Sequence, residues 1–332
     1  MSPVLGRRVR IAGTGASLPS KVLTNRDLEA MIDTSDDWIL ERTGIRERRI
    51  ASPGETTSLF ATRAAEAALE RAGVLPKDID TIIVATITPD HVFPSTACHV
   101  QQGLGASRAS AFDLSAACTG FLYALDVGWR MVASGGYRHV LVIGAECLSA
   151  ITDYQDRATC ILFGDGAGAV VLSPAGPEEP GEILWTRLAA AGNDEVMVVP
   201  GGGSAVPASH DSVERRLHFM RIDGKRVFKF AVSTYRDLVA QALAENGLTT
   251  ADLKLLIPHQ VNLRIIEAAQ KKLDVPPEKV YVNIDRYGNT SAASVPIALA
   301  EADREGRLEA GDVFMMVGFG AGLTWGAAMI RW

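Results

Sequence analysis

Three side chains have types and placements that could do chemistry together: a thiol, an imidazole and a carboxamide. Cys118 stands in "LSAACTGFLYAL" (residues 114–125), between the strand-like "SRASAFDL" and a run with amphipathic-helix character. A structural cysteine can sit at any apolar position, whereas a nucleophile gains from a strand-to-helix junction. A free thiol has a pKa of ~8.5, and a helix N-terminus or nearby cation lowers it, so this address predicts a thiolate. His259, in "LKLLIPHQVNLRII", follows an apolar strand and precedes a helix. Asn289, in "NIDRYGNTSAASVPIALA", follows a Tyr-Gly turn and precedes another helix. Singly, the histidine reads as a satisfied core residue and the asparagine as a turn residue. All three at strand-to-helix turns, where α/β sheets place ligands, point to one site.

The elements that must position them alternate between strand-length apolar runs and longer helical patterns, which predicts an α/β fold. "IDTIIVATI" and "HVLVIGAE" are apolar almost throughout, as strands covered on both faces should be. "TSLFATRAAEAALERAG" (57–73) predicts a helix capped by Thr57 or Ser58 and stopped by Gly73. The plan then repeats. "AGVLPKDIDTIIVATITPD" matches "NGLTTADLKLLIPHQVN" with Gly73 on Gly247 and Asp78 on Asp252, and "HVLVIG" matches "DVFMMVG". Gly164 of "GDGAGAVVL" pairs with Gly318 of "GFGAGLTWGAAMI", which leaves roughly 20 extra residues in the first half. An internal duplication follows, with Cys118 falling near Ser291 in the matching frame. The halves are expected to divide in the Pro-, Gly- and Glu-rich "SPAGPEEPGE", as residues 1–175 and 176–332, and to pack back to back with the site between them.

Composition narrows the class. The chain has 332 residues, 47% of them hydrophobic, which is enough for a large core without metal or disulfide staples. A net charge of -6 argues against a nucleic-acid partner. No stretch has the length and apolarity of a membrane span or a secretory signal, so a cytoplasmic protein without a membrane partner is expected. The four cysteines lack CxxC spacing and clustered histidines, which speaks against a metal site. Cys98, Cys147 and Cys160 read as small buried hydrophobes.

The longer motifs carry a resemblance. "TSDDWILERTGIRERR", "FPSTAC", "FDLSAACTGFLYAL", "DRATCILFGDGAGAVVL", "DGKRVFKFAV", "IPHQVNLRI", "YGNTSAASVP" and "GFGAGLTWG" resemble the β-ketoacyl-acyl-carrier-protein synthase III family, over nearly the whole chain. The resemblance implies a thiolase-like α/β fold of five layers, αβαβα, and a Cys-His-Asn site on Cys118, His259 and Asn289. It implies an acyltransferase that starts fatty acid synthesis: an acyl-CoA primer loads Cys118, then condenses with malonyl-ACP by decarboxylation. The backbone N–H groups of Cys118 and Ala321 are the implied oxyanion donors. Trp38, Arg42, Arg157 and Asn262 are the implied coenzyme A contacts. Trp38 and Arg42 are spaced i, i+4 and share a helix face, and indole and guanidinium planes suit a purine. Lys229, Arg264, Lys271 and Lys272 are the implied dock for the acidic acyl carrier protein (ACP). Phe93 is expected to reach a neighbouring subunit's acyl pocket in a homodimer. No permanently bound cofactor is expected, only coenzyme A thioesters and the phosphopantetheine carried by ACP.

Rival readings are weaker. "GTGASL" imitates a dinucleotide fingerprint, but Leu18 stands where the third glycine belongs, which lowers the prospect of an NAD-dependent oxidoreductase. A thiolase would have a "CxG" motif near "GFGAGLTWG", and none occurs there. A condensing enzyme of polyketide or quinolone-type metabolism would share every catalytic residue and is the nearest alternative.

Overall fold

In the chain's strands, alternate side chains enter different cores. Ile82 and Val84 pack in one buried cluster while Ile83 and Ala85 pack in another. Leu255 and Ile257 join Phe314 and Met316 in the second of these, while Leu256 joins Met315 and Val317 in a third. This period of two, with apolar residues on both faces, requires three stacked cores and two sheets between them.

The computed structural model describes residues 6–332. Its principal strands are β1 (Val9–Ser17), β2 (Thr81–Ala85), β3 (Ser110–Leu114), β4 (Val140–Cys147), β5 (Asp165–Pro174), β6 (Glu182–Asn193), β7 (Leu253–Pro258), β8 (Val313–Gly320) and β9 (Gly322–Arg331). They form one nine-stranded sheet in the order β7-β8-β9-β6-β1-β5-β4-β2-β3. In register, β1 and β6 meet at the single pair Arg10–Glu182, so the sheet is two smaller sheets joined at one point. Each has the same plan. β2 runs parallel to β4, then β4, β5 and β1 alternate in direction; β7 runs parallel to β8, then β8, β9 and β6 alternate. Where the first sheet continues into β3, the second has only a bridge from Leu256 to Val280.

The principal helices are α1 (Asp36–Thr43), α2 (Thr57–Ala72), α3 (Thr96–Leu104), α4 (Gly120–Ala133), α5 (Gly224–Asn246), α6 (Leu263–Leu273) and α7 (Ser294–Arg304). α2 and α3 cover one sheet's outer face, α5 and α6 cover the other's, and α4 and α7 lie between the sheets. Phe121, Leu125, Val295 and Leu299 fill that middle core. The layers are therefore αβαβα, the thiolase-like arrangement. Among the described residues no helix is long and apolar enough to cross a membrane.

The "GTG" glycines lie inside β1. A Cβ on Gly13 would stand 2.4 Å from the Ala68 carbonyl oxygen, and one on Gly15 would stand 2.2 Å from that of Ala64. These glycines let the alanine-rich face of α2 press onto the strand. They form no phosphate-binding turn.

Several details differ from expectation. The α2 cap is Thr56, whose hydroxyl accepts from Leu59 N–H. Thr57 instead donates to the Thr88 carbonyl at 2.6 Å, and Ser58 bonds the Asp90 carboxylate. Ala117 and Ser291 are the true counterparts, both non-glycine residues at positive φ (46° and 48°), so Cys118 matches Ala292. The matching frame slips by one residue because α7 is shorter than α4 and the loop after it is longer. The extra segment is residues 148–164, where the second half has Ala321 alone. Cys147 and Cys160 are buried as expected, but Cys98 is exposed on α3.

Candidate active site

Cys118 sits in a 3-10 turn, Ala117–Thr119, that feeds directly into α4. The positive φ of Ala117 is uncommon for a residue with a Cβ, and such strain collects where a side chain must be aimed. The turn is roofed by the β8–β9 connection. A Cβ on Gly320 would stand 2.8 Å from Cys118 N and 3.1 Å from its Cβ, so only glycine permits this approach. Ala321 follows immediately, which sets its backbone beside that of Cys118. Thr324 ties the two turns together: its hydroxyl donates to the Ala116 carbonyl at 3.1 Å and lies 3.1 Å from that of Thr119.

His259 is the first residue beyond β7, held by its N–H to the Val317 carbonyl at 2.8 Å. A Cβ on Gly318 would stand 3.7 Å from the Cys118 carbonyl oxygen and 3.9 Å from His259 Cβ, so this glycine separates the two residues. Phe319 packs edge-on to the imidazole at 5.7 Å. His259 Nδ1 lies 2.6 Å from Ser294 Oγ, which also accepts from Gln260 N–H at 3.4 Å. With the Ser294 proton donated to Nδ1, the imidazole carries its own proton on Nε2. Nε2 is buried and, among the described residues, has no hydrogen-bond partner.

Asn289 is fixed from both sides. Its N–H donates to the Leu162 carbonyl and its own carbonyl accepts from Gly164 N–H. Its side-chain Oδ1 accepts from Ser291 N–H at 2.9 Å, which orients the amide and leaves the NH2 as a donor. The Ser291 hydroxyl donates to Glu146 Oε1 at 3.1 Å. Cys118 and His259 thus stand on either side of Gly318, and the turn that follows Asn289 packs against the turn that carries Cys118.

Electrostatics corrects one expectation. Burial pushes the Cys118 thiol up to about 12. Burial also pushes His259 down to about 3. The resting pair is therefore a neutral thiol beside a neutral imidazole, because desolvation outweighs the helix N-terminus that favours a thiolate.

The expected coenzyme A residues also converge. The Arg42 and Arg157 guanidinium groups lie 4.6 and 4.8 Å from the Trp38 ring centre. A purine sandwiched between Trp38 and either arginine needs that arginine to swing away, since the stack is already closed. Asn262 caps α6, accepting from Arg264 N–H, and its NH2 donates to the Arg42 carbonyl at 3.0 Å. The segment from His259 to Asn262 therefore links the imidazole to this cluster. Lys229 on α5 and Arg264, Lys271 and Lys272 on α6 are all exposed on helices that pack together. Phe93 stands apart, 84% exposed beside Val92 at 92%.

Sequence reasoning missed Ser291, Ser294, Gly320, Thr324 and Glu146. Glu146 did leave a signal, as a charged residue in the apolar strand "HVLVIGAEC".

A buried thiol at a helix-initiating turn, an imidazole and an amide donor on a duplicated αβαβα frame define a thiolase-like condensing enzyme. The family model described as 3-oxoacyl-[acyl-carrier-protein (ACP)] synthase III matches residues 112–192, and that of its C-terminal region matches residues 243–332. The chain belongs to the β-ketoacyl-[acyl-carrier-protein] synthase III family and is an acyltransferase of that class. It is 55% identical over 324 residues to the family's enzyme in Caldanaerobacter subterraneus subsp. tengcongensis, covering 97% of each chain. It is 53% identical to that of Symbiobacterium thermophilum, covering 98% of each. Among solved structures, 3-oxoacyl-[acyl-carrier-protein] synthase III from Aquifex aeolicus VF5 superposes with a TM-score of 0.89 at 48% identity, covering 98% of this chain and 100% of that one. The priming β-ketosynthase of the R1128 polyketide pathway superposes with a TM-score of 0.88 at 39% identity, covering 98% of this chain and 97% of that one.

Proposed function

We propose that this enzyme starts fatty acid chains in two half-reactions on Cys118, with His259 and Asn289 serving the second. The observation that carries the reading is the unpartnered, buried His259 Nε2 beside the Cys118 turn. In the first half-reaction the Cys118 sulfur attacks an acyl-CoA thioester carbonyl. The tetrahedral oxyanion is held by the N–H groups of Cys118 and Ala321, the C–S bond to coenzyme A breaks, and the Cys118 proton ends on the departing sulfur. In the second, malonyl-ACP loses CO2, and the electron pair of the broken C–C bond becomes an enolate. His259 Nε2–H and the Asn289 NH2 donate to the thioester oxygen as charge develops on it. A carboxylate in place of Asn289 would accept only and would oppose that charge. The enolate carbon attacks the acyl-Cys118 carbonyl, the C–S bond to Cys118 breaks, and Cys118 leaves as a thiolate that takes back a proton from solvent. No further cofactor is required, because decarboxylation supplies the carbon nucleophile.

We assign coenzyme A to Trp38, Arg42, Arg157 and Asn262, which stand together as one cluster. The exposed Lys229, Arg264, Lys271 and Lys272 are assigned to ACP, an acidic partner. A homodimer accounts for Val92 and Phe93, which no soluble monomer gains by exposing, and for the open edge of β3 beside them. Division at residues 175/176 into two halves and work in the cytoplasm complete the reading. The test is intact-mass measurement after incubation with a panel of acyl-CoAs. One acyl adduct located on Cys118 and absent from Cys118→Ala is expected, and an adduct on another residue would overturn the assignment.

A further inference from the structure

Helix α7 carries two buried polar side chains toward the segments that bear His259 and Asn289. Ser294 and Glu301 are seven residues apart on it, so they share one side of the helix, about 10 Å from each other. Ser294 holds His259 Nδ1. Glu301, 2% exposed, serves the segment that leads to Asn289. Its Oε1 accepts from Tyr287 Oη at 2.6 Å and Arg286 Nη1 at 3.1 Å. Its Oε2 accepts from Asn283 Nδ2 at 2.8 Å, Arg286 Nη2 at 3.0 Å and Tyr281 Oη at 3.5 Å. The Arg304 guanidinium lies 3.6 Å from Oε1. Every one of these groups donates, so Glu301 is used as an acceptor at both oxygens.

The same network reaches His259. Asn283 N–H donates to Gln260 Oε1 at 3.1 Å, and Gln260 Nε2 donates to the carbonyls of Pro258 at 2.8 Å and Tyr281 at 3.1 Å. Pro258 and Gln260 flank His259 in the chain, and Gln260 is 1% exposed. On the other branch, Tyr287 is followed by Gly288 and then Asn289. Gly288 has a φ of +64°, and a Cβ there would stand 2.7 Å from the Leu162 carbonyl oxygen, the acceptor of Asn289 N–H. One carboxylate thus ties down the neighbours of the imidazole through Asn283 and the approach to the amide through Tyr287. Buried ion pairs are often no more stabilising than apolar packing of the same volume, so stability alone gives little reason for a carboxylate here. Two donors that must meet one oxygen give a stronger one.

We propose that Glu301 is a positioning residue for condensation: through Asn283 and Gln260 on one side and Tyr287 on the other, it fixes His259 Nε2 and the Asn289 NH2 relative to each other. The inference rests on those two groups serving the condensation step. The Cys118 turn is held separately, by the close approach of Gly320 and the Thr324 hydroxyl, so acyl loading does not depend on Glu301.

The experiment measures the two half-reactions separately in the full-length protein: Cys118 acylation by acyl-CoA, read by intact mass, and condensation of the acyl-enzyme with malonyl-ACP. In Glu301→Gln the amide NH2 must face Arg286 on one side of the fork, where it sets donor against donor and loosens one branch of the network. Condensation should fall about tenfold in kcat, the worth of one hydrogen bond to a charged group, with KM for malonyl-ACP and the loading rate held within about twofold. Tyr287→Phe removes one hydroxyl and leaves the ring, so it should lower condensation by about threefold and spare loading. It carries the test if the glutamine variant fails to fold. Wild-type condensation in a folded Glu301→Gln, or in Tyr287→Phe where that variant carries the test, would overturn the proposal. So would a parallel loss of loading and condensation, the mark of a merely structural role. Asn289→Ala, run alongside, separates the two levels. If it condenses normally, the reading of the site falls and this inference with it. If it fails to condense while Glu301→Gln is unimpaired, only the role of Glu301 falls.

Discussion

Cys118, His259 and Asn289 are each held by atoms that do not react, and those supports decide what the reacting atoms can do. The proposed donation from His259 Nε2 requires Ser294 to hold Nδ1 as an acceptor, and the two stand 2.6 Å apart. Ser294→Ala should therefore lower condensation by about tenfold or more in kcat, since losing control of the proton's position costs at least one hydrogen bond in the transition state. Loading of Cys118 from acyl-CoA should persist in that variant. His259→Ala and Asn289→Ala should likewise stop condensation and leave some acyl-enzyme, read as a stable mass adduct. Normal condensation by Asn289→Ala would refute the enolate assignment. Acid stability offers a second check. His259, held neutral down to about 3, binds its proton only in the unfolded chain, so its contribution is lost as pH falls from about 6.5 toward 3. Glu146, raised to about 7, holds its proton in the folded chain, so its contribution is lost as pH rises from about 4.5 to 7. The two oppose each other in the overlap. Glu146→Gln removes the glutamate contribution, and urea unfolding should show stability rising with pH there, by up to about 1.4 kcal/mol per unit relative to wild type. The sequence shows the three reacting residues because thiol, imidazole and amide are conspicuous at strand-to-helix turns. It hides Ser291 and Ser294, since two serines among several in "NTSAASVP" differ only in where the turn points them.

At the scale of elements, the site depends on turns that close without side chains in the way. Gly320→Ala should push the Cys118 backbone aside, because the new Cβ would stand at 2.8 Å from its nitrogen. A displacement near 1 Å at a reacting centre costs about 100-fold, so acyl loading should fall by that order. Loading at the wild-type rate would mean that the β8–β9 turn does not set the oxyanion donors. Strand identity was plain from apolar runs covered on both faces, as in "TIIVATI". The cap of α2 was off by one residue because three hydroxyls in a row, Thr56, Thr57 and Ser58, offer equivalent sequence signals. Only the neighbours Thr88 and Asp90 decide which of the three is free to cap. The thiolate expectation failed for a related reason. A helix start is visible in sequence, whereas the depth of its burial depends on β8 and α7, which come from the far half of the chain.

At the scale of the whole molecule, charge and exposed apolar surface predict two separable assemblies. Lys271→Glu with Lys272→Glu should raise KM for malonyl-ACP by about tenfold at low salt, with a difference that shrinks as salt screens the patch. Acyl-CoA loading should be untouched, and a matching loss there would place the patch in the coenzyme A site instead. Phe93→Asp should convert a dimer to monomer in light scattering, and a wild-type mass for that variant would remove the loop from the interface. The roof over Cys118 has a further consequence in the order of protein synthesis. The nucleophile's turn leaves the ribosome long before β8 and β9, on the order of tens of seconds earlier at roughly 5–20 residues per second. β1 likewise waits for β5, its hydrogen-bonded neighbour from the far side of the first half. A nascent chain thus carries its thiol without the turn at Gly320 that closes over it, and under the proposed roles acyl transfer awaits the arrival of Gly320 and Ala321.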